Sequence, residues 1–398
     1  MSKPTIRVCL IGQKFMGRAH SNAYLKVDKF FDLAAKPVMH TICARNAGEL
    51  EGFKNRWGWQ HASTDWKSAV THPEIDLVDV TTPNNQHLDM TLAALEAGKH
   101  VACEKPLAAT LADARLMRDA AEKAKNSKTF VWYSYRRVPA VTLAHQLVKE
   151  GRLGRIYHVR AFYLQDWAGP EVPLIWRFNK EIAGSGAHGD LGAHIIDMAR
   201  FITGDEIVEV TGAIAETFIK ERTIPSHGSA GGLSEGATAG ETTRKGKVDI
   251  DDAVLFLARF KGGAVGSFEA TRFATGYQNK NGVEIHGEKG AISIDFEDLA
   301  WLRFFDRTED RRVQGWHRIN VSKAPEHPYA SNWWPAAHPT GYEHTFINQA
   351  ADMFNVLGGK APVAPLPDFA DAYKTQEVLE AATISAAERR PVKISELK

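Results

Sequence analysis

A lysine and a histidine–aspartate pair carry the chemistry open to this chain. Lys105 stands in Glu104-Lys105-Pro106, directly after the apolar run His100-Val101-Ala102-Cys103. Open α/β sheets bind their ligands just beyond the carboxyl ends of parallel strands, and Pro106 restricts Lys105 to extended geometry. Asp190 and His194 are four residues apart in Gly184-Ser185-Gly186-Ala187-His188-Gly189-Asp190-Leu191-Gly192-Ala193-His194. At helical spacing they share one face, and the glycine-rich entry leaves that face open to a ligand. Oxidation of an alcohol needs a base for the hydroxyl proton, and histidine titrates in the right range. It also needs a donor or cation at the developing alkoxide, which Lys105 can supply. Asp190 can hold a neighbouring substrate hydroxyl. Taken singly, each feature also has a plain reading, as a solvated lysine after a strand and as the polar face of a helix.

Such an oxidation needs a hydride acceptor, and the N-terminus offers a place for one. The strand pattern Ile6-Arg7-Val8-Cys9-Leu10-Ile11 runs into Gly12-Gln13-Lys14-Phe15-Met16-Gly17, which opens a helix. This is nearly the dinucleotide fingerprint G-x-G-x-x-G in its strand–turn–helix setting. Gly12 permits the tight turn, Gly17 permits close helix–strand packing, and the helix N-terminus offers amides to a pyrophosphate. Lys14 replaces the middle glycine, and its ammonium is expected against the cofactor phosphates or ribose. The second strand ends in Cys43-Ala44-Arg45-Asn46, without the acid that holds the adenosine ribose and selects NAD. Arg45 can stack on adenine or meet a 2′-phosphate, which tilts the residues toward NADP, or can simply start a helix on the surface.

The elements that must position these groups follow from hydrophobic periodicity. Strands are expected at 6–11, 38–43, 77–81, 100–103 and 129–133, alternating with helices from about 17, over 47–57, over 86–97 and from a capping box at Thr110-Leu111-Ala112-Asp113. Strands alternating with helices imply βαβ units, hence a doubly wound parallel sheet with right-handed crossovers. After about Ser134 the pattern changes. A helix over 143–149 precedes strands at 156–164, 253–260, 264–271 and 283–286, joined by Gly-containing turns, which reads as a mostly antiparallel sheet. The fold class is therefore α/β: an N-terminal Rossmann domain over 1–133, then an α+β domain over 134–398 with a large open sheet. The Gly-, Ser- and Thr-rich stretch from Pro225 to Lys247 reads as a loop, and the stripe Phe346, Ala350, Met353, Phe354, Leu357 reads as helix core.

Composition narrows the function class. The chain has 398 residues, 44% hydrophobic and 24% charged, with a net charge of +1. That is an ordinary globular balance, with nothing suggesting a nucleic-acid or membrane partner. No apolar run approaches the roughly 20 residues of a membrane span, and the strand pattern begins too early to leave room for a signal peptide. Cys9, Cys43 and Cys103 are odd in number and lie in strand-like contexts. They read as buried free thiols of a cytoplasmic protein, and no metal-ligand spacing is present.

With these residues in view, the chain resembles the Gfo/Idh/MocA oxidoreductases over essentially its whole length. The resemblance rests on the G-x-x-x-x-G turn, Thr81-Thr82-Pro83-Asn84 with His87, Glu104-Lys105-Pro106, and Asp190 with His194. A levoglucosan dehydrogenase-like branch matches further, through Tyr135-Arg136-Arg137-Val138-Pro139-Ala140, Tyr163-Leu164-Gln165-Asp166-Trp167, Trp176-Arg177-Phe178 and Gly184-Ser185-Gly186. The resemblance implies that Lys105, Asp190 and His194 form the catalytic set, with the nicotinamide near Thr81-Thr82-Pro83-Asn84. Cofactor contacts are then expected from Gly12, Lys14, Phe15, Met16, Gly17, Arg45, Thr81, Thr82, Pro83, Asn84, His87, Glu104 and Lys105. It also implies NAD as cofactor, a secondary hydroxyl of a pyranoside (commonly at C3) as the oxidised group, and a homodimer or homotetramer built on the outer face of the sheet.

A sugar needs polar partners for its hydroxyls and an aromatic face for its C–H side. Tyr135, Arg136, Tyr163, Gln165, Trp167, Trp176 and Arg177 are the expected substrate contacts, and Asn332-Trp333-Trp334-Pro335 with His338 is a further candidate. By strand alternation Gln165 and Trp167 share a face while Asp166 points away. The expectation is an NAD(P)-dependent dehydrogenase of a sugar, glycoside or cyclitol. The alternative is a redox-neutral NAD-dependent glycosidase that oxidises C3 transiently, eliminates the aglycone, adds water and re-reduces the ketone.

Overall fold

The computed structural model describes residues 3–225 and 244–397. They fall into two compact units, residues 3–137 with 341–373, and residues 138–225, 244–340 and 374–397.

The first unit is a doubly wound parallel sheet. Its strands are β1 (Thr5–Ile11), β2 (Lys36–Cys43), β3 (His61–Ser63), β4 (Leu77–Val80), β5 (His100–Cys103) and β6 (Thr129–Val131), in spatial order β3-β2-β1-β4-β5-β6. All five pairings are parallel. Central β1 and β4 are covered on both faces, so Val8, Cys9, Leu10, Ile11, Leu77, Val78 and Val80 are buried, as in parallel sheets generally. The helices are α1 (Phe15–Phe30), α2 (Ala47–Trp57), α3 (Trp66–Thr71), α4 (His87–Glu96) and α5 (Leu111–Lys123). Asn46 caps α2 by accepting from the Gly48 and Glu49 amides. Thr110 caps α5 by accepting from the Asp113 amide at 3.1 Å, as the sequence signature anticipates. The helix Tyr342–Leu357 packs on α1 and buries Phe346, Ala350, Met353 and Phe354, so its apolar stripe is core.

The second unit is built on a nine-stranded mixed sheet. Its strands are β7 (Ile156–Leu164), β8 (Ile207–Glu216), β11 (Ala253–Phe260), β12 (Val265–Thr271), β13 (Lys280–Gly287), β14 (Gly290–Asp295), β15 (Trp301–Asp306), β16 (Trp316–Asn320) and β17 (Val392–Lys393). The order is β16-β15-β14-β13-β7-β12-β11-β8-β17, antiparallel throughout except between β7 and β12. One face carries the helices α6 (Pro139–Lys149) and α8 (Ala193–Thr203), and α7 is a short turn at Lys180–Ala183. Along β11 the side chains alternate, Phe256, Ala258 and Phe260 inward and Leu255 and Leu257 outward.

The remaining strands, β9 (Glu221–Thr223) and β10 (Lys245–Lys247), form a two-stranded antiparallel ribbon. Residues 245–247, expected as loop from composition, therefore pair as a strand, and most of that Gly-, Ser- and Thr-rich stretch lies outside the described residues. Helix α6 begins four residues earlier than periodicity suggests, because Pro139 occupies its first turn, where a missing N–H costs nothing. Cys9, Cys43 and Cys103 are free and buried. Burial pushes all three thiols up, Cys43 to about 12. Among the described residues, no helix is long and apolar enough to cross a membrane.

Candidate functional site

The turn after β1 has no room for side chains at its two glycines. Gly12 has φ +122°, and a Cβ there would lie 2.3 Å from Thr81 Oγ1. A Cβ on Gly17 would lie 2.2 Å from the Gly12 carbonyl oxygen. The Gly12 amide donates to Cys43 O at 2.9 Å, and Thr81 Oγ1 donates to Ile11 O at 2.8 Å. The turn is thus tied to the ends of β1, β2 and β4, at the switch point where the strand order reverses and dinucleotides bind. Lys14 is the N-cap residue of α1 and offers no side-chain acceptor, which leaves first-turn amides for an anion. A crowded glycine turn leading to an uncapped helix N-terminus fits the pyrophosphate of a dinucleotide.

Around the turn, Lys14 Nζ and Gln13 Nε2 both lie 3.0 Å from Glu49 Oε2, on the first turn of α2. The sequence reading placed Lys14 against the cofactor without foreseeing this carboxylate. Arg45 is exposed, one residue ahead of the α2 cap. Phe15 stacks on Tyr342 at 6.2 Å, and Tyr342 in turn meets Tyr135 edge-on at 6.3 Å. Met16 is half-buried beside them in chain order.

Beyond β4 the turn Thr81-Thr82-Pro83-Asn84 is half-buried, and His87 holds it from below. The His87 ring is fully buried, 3.0 Å from Thr82 O and 3.2 Å from Leu107 O. Burial holds its pKa below the usual histidine range. Lys105 follows β5 and is half-buried, with a cis peptide bond to Pro106. Its backbone N–H donates to Glu104 Oε2 at 3.0 Å, while Glu104 Oε1 lies 2.9 Å from His20 Nε2. Both Glu104 oxygens are thereby engaged inside the unit. His20 Nδ1 lies 2.8 Å from Asp79 Oδ2, to which Tyr24 OH also donates at 2.7 Å, and Trp132 Nε1 donates to Asp79 Oδ1 at 2.9 Å. The sequence reading missed His20 and Asp79. An aspartate inside the strand Leu77-Val78-Asp79-Val80 is the local signal that a buried partner was required.

In the second unit, Asp251 builds the entry to the Asp190–His194 helix. Its Oδ1 accepts from the Gly186 amide at 2.8 Å and its Oδ2 from the His188 amide at 2.7 Å. A Cβ on Gly186 would lie 1.8 Å from Asp251 O, so only glycine fits. His188–Gly192 forms a π-helical turn rather than the expected α-helix, closed by the Ala193 amide to His188 O. Such turns often mark functional sites, and residues four apart still fall on nearly the same side of one.

Asp190 on that turn is paired with Arg272, a residue the sequence reading missed. The Arg272 guanidinium is 1% exposed and donates from Nη2 to Asp190 Oδ2 at 2.8 Å and to Gly186 O at 3.1 Å, and from Nη1 to Arg177 O at 3.4 Å. It also lies 5.1 Å from the centre of the Trp167 ring. Arg177 brings its Nε within 4.0 Å of the same Asp190 oxygen and stacks on Trp176 at 4.4 Å. Asn279, also missed, accepts from Tyr163 OH and from Gln165 Nε2, both at 2.8 Å. Gln165 Oε1 accepts from Trp167 Nε1 at 2.8 Å, while Asp166 turns away to the Gly276 amide, as alternation requires. The Tyr163 ring lies 5.9 Å from the His194 ring. This unit therefore gathers Tyr163, Gln165, Trp167, Trp176, Arg177 and Asp190 into one hydrogen-bonded and stacked group, and sets His194 beside Tyr163.

Two further expected sugar contacts lie in the first unit. Tyr135 is buried against Tyr342, and Arg136 pairs with Asp371 within the first unit. In the loop 332–335, Trp334 is half-exposed, and His338 Nδ1 lies 2.9 Å from Pro335 O.

Comparison with known proteins agrees with both halves. Residues 6–132 match the model of the oxidoreductase family with an NAD-binding Rossmann fold, and residues 141–293 match the GFO/IDH/MocA C-terminal domain. The chain is 42% identical to a levoglucosan dehydrogenase of Pseudarthrobacter phenanthrenivorans, covering 98% of this chain and 99% of the relative. An oxidoreductase domain protein from Kribbella flavida superposes with a TM-score of 0.91 at 45% identity, over 98% of this chain and 99% of that one. A levoglucosan dehydrogenase in complex with NADH superposes at 0.89 and 39% identity, with the same coverage. The glycine turn, the classical strand order and full-length similarity together establish that this chain belongs to the Gfo/Idh/MocA family of oxidoreductases.

Proposed function

We propose that the protein oxidises a secondary hydroxyl, at C3, of a pyranose sugar, anhydrosugar or glycoside, with NAD as the hydride acceptor. The observation that carries this reading is the group around Asp190. A carboxylate paired with a buried guanidinium stands among Trp167, Trp176, Tyr163 and Gln165, which is the mix of hydrogen-bonding and aromatic surface that a sugar requires. Bound NAD supplies the hydride acceptor. His194 takes the hydroxyl proton, the Lys105 ammonium stabilises the developing alkoxide, and Asp190 accepts from an adjacent hydroxyl and orients the ring.

The Glu49 carboxylate beside Gln13 and Lys14 favours NAD over NADP. It is the candidate for the ribose-binding anion that Ala44 does not supply. The outward apolar residues Ile214, Leu255, Leu257 and Val265 of the nine-stranded sheet support a homodimer or homotetramer, and three buried thiols fit a reducing cytoplasm.

The test is a panel of anhydrosugars, hexoses, glycosides and inositols assayed with NAD and NADP for nicotinamide reduction and for aglycone release. Net reduction with a sugar supports the dehydrogenase. Aglycone release without net reduction would replace it with the redox-neutral glycosidase.

A further inference from the structure

The first unit buries a charged chain that its parallel sheet does not need. His20 and Tyr24 project from one face of α1, Asp79 from the middle of β4, and Glu104 from the end of β5. His20 and Asp79 are fully buried and Glu104 is 5% exposed. Burying such groups is costly unless hydrogen bonds satisfy them, and here each has partners within hydrogen-bond distance. Trp132 and Tyr24 donate to Asp79, the Lys105 amide donates to Glu104, and the His20 ring lies within hydrogen-bond distance of both carboxylates.

The ring of His20 lies between two carboxylates, with Nδ1 at 2.8 Å from Asp79 and Nε2 at 2.9 Å from Glu104. A neutral imidazole has one N–H and can donate to only one of them. Donation to both requires the imidazolium. The Trp132 ring, centred 4.1 Å away, and Phe346 at 5.5 Å close the remaining sides, and an aromatic face suits a cation. The titratable groups facing the ring are Asp79 from β4, Glu104 from β5 and Tyr24 from its own helix.

We propose that His20 is a positioning residue: as a buried imidazolium it clamps Glu104 to Asp79, and Glu104 through the Lys105 amide fixes the strand-end backbone from which the Lys105 ammonium is presented. The proposal rests on the reading of Lys105 as the group that stabilises the alkoxide. It assigns His20 no contact with substrate or cofactor.

Two measurements test it. The first uses the unmodified free protein: its histidine side-chain nitrogen resonances, with His20 assigned by loss of the signal in His20→Gln. The expected result is an imidazolium at neutral pH, and a neutral His20 ring there would overturn the clamp. The second is a double-mutant cycle of His20→Gln and Lys105→Met, read as kcat and KM for the sugar at saturating NAD. His20→Gln is expected to lower kcat about tenfold or more with KM within about twofold, and to add nothing in the Lys105→Met background. An equal fall in both backgrounds, a change in KM alone, or an unchanged kcat would overturn the positioning role. Full activity of Lys105→Met would instead sink the reading of Lys105, and the resonance result is independent of that outcome.

Discussion

Arg272 donates from Nη2 to Asp190 Oδ2 at 2.8 Å, and its guanidinium stays 1% exposed while doing so. The same nitrogen reaches Gly186 O, and Nη1 reaches Arg177 O. One fork therefore holds the glycine entry, the π-helical turn and the Trp176–Arg177 segment in a single arrangement. Lysine would keep the charge but not the fork. Arg272→Lys is expected to lower kcat/KM for the sugar by about tenfold to hundredfold, the worth of a hydrogen bond to a charged group. NAD affinity, titrated by fluorescence, should stay within about twofold. Equal losses in sugar turnover and NAD affinity would mean that Arg272 only holds the fold.

Gly17 sits where a methyl group would strike backbone. With a Cβ at 2.2 Å from Gly12 O, Gly17→Ala must open the turn proposed to hold the pyrophosphate. NAD binding is expected to weaken at least tenfold, with a stability loss of about 1–3 kcal/mol from overpacking. Gly52, inside α2, has open space where a methyl group would stand, with nothing within 4 Å, and Gly52→Ala is expected to raise stability by about 0.5–1 kcal/mol. Calorimetry of both variants, free and with NAD, separates the two effects.

His20 makes stability depend on alkaline pH. Burial alone works against its charge, but the Asp79 charge and hydrogen bond, joined by those of Glu104, raise it to about 9 from the ordinary 6.5. The folded state thus keeps a proton that the unfolded state releases at lower pH. The resulting stabilisation is fully present below about 6.5 and disappears as pH rises through about 9, and its size is on the order of 3 kcal/mol. Denaturant midpoints are expected to fall across that interval in the wild type and to fall less in His20→Gln. Parallel curves for the two proteins would contradict the assignment.

The proposed preference for NAD over NADP involves Glu49. Its carboxylate is half-exposed and paired with Lys14 at 3.0 Å, so the effect of its charge is modest. Glu49→Gln is expected to shift the NADP/NAD ratio of kcat/KM upward by about fivefold. A shift toward NAD, measured with both cofactors at one salt concentration, would show that the carboxylate does not face the 2′ position.

The Rossmann half was legible because its central strands are covered on both faces, so Val8-Cys9-Leu10-Ile11 and His100-Val101-Ala102-Cys103 read as continuous apolar runs. The three-residue edge strand His61–Ser63 is exposed or half-exposed along its length and leaves no such signature. Lys105, Asp190 and His194 were readable as candidates because their motifs are local. Their supports were not, since Arg272 reaches Asp190 across 82 positions and His20 reaches Glu104 across 84. Periodicity over five residues also cannot separate a π turn from an α turn, and at His188–Gly192 only the glycines hint at it. Tyr135 and Arg136 were expected as sugar contacts from the resembling segment and from the polar and aromatic surface that a sugar requires. The partners that engage them, Tyr342 and Asp371, lie more than two hundred positions away.

The proposed role of His194 as the base that accepts the hydroxyl proton is tested most directly by His194→Ala, assayed for nicotinamide reduction with a sugar that the wild type oxidises. The expected result is a fall in kcat of about 10²–10⁴, with NAD affinity by direct titration unchanged. An undiminished kcat would contradict it and remove His194 from the reaction.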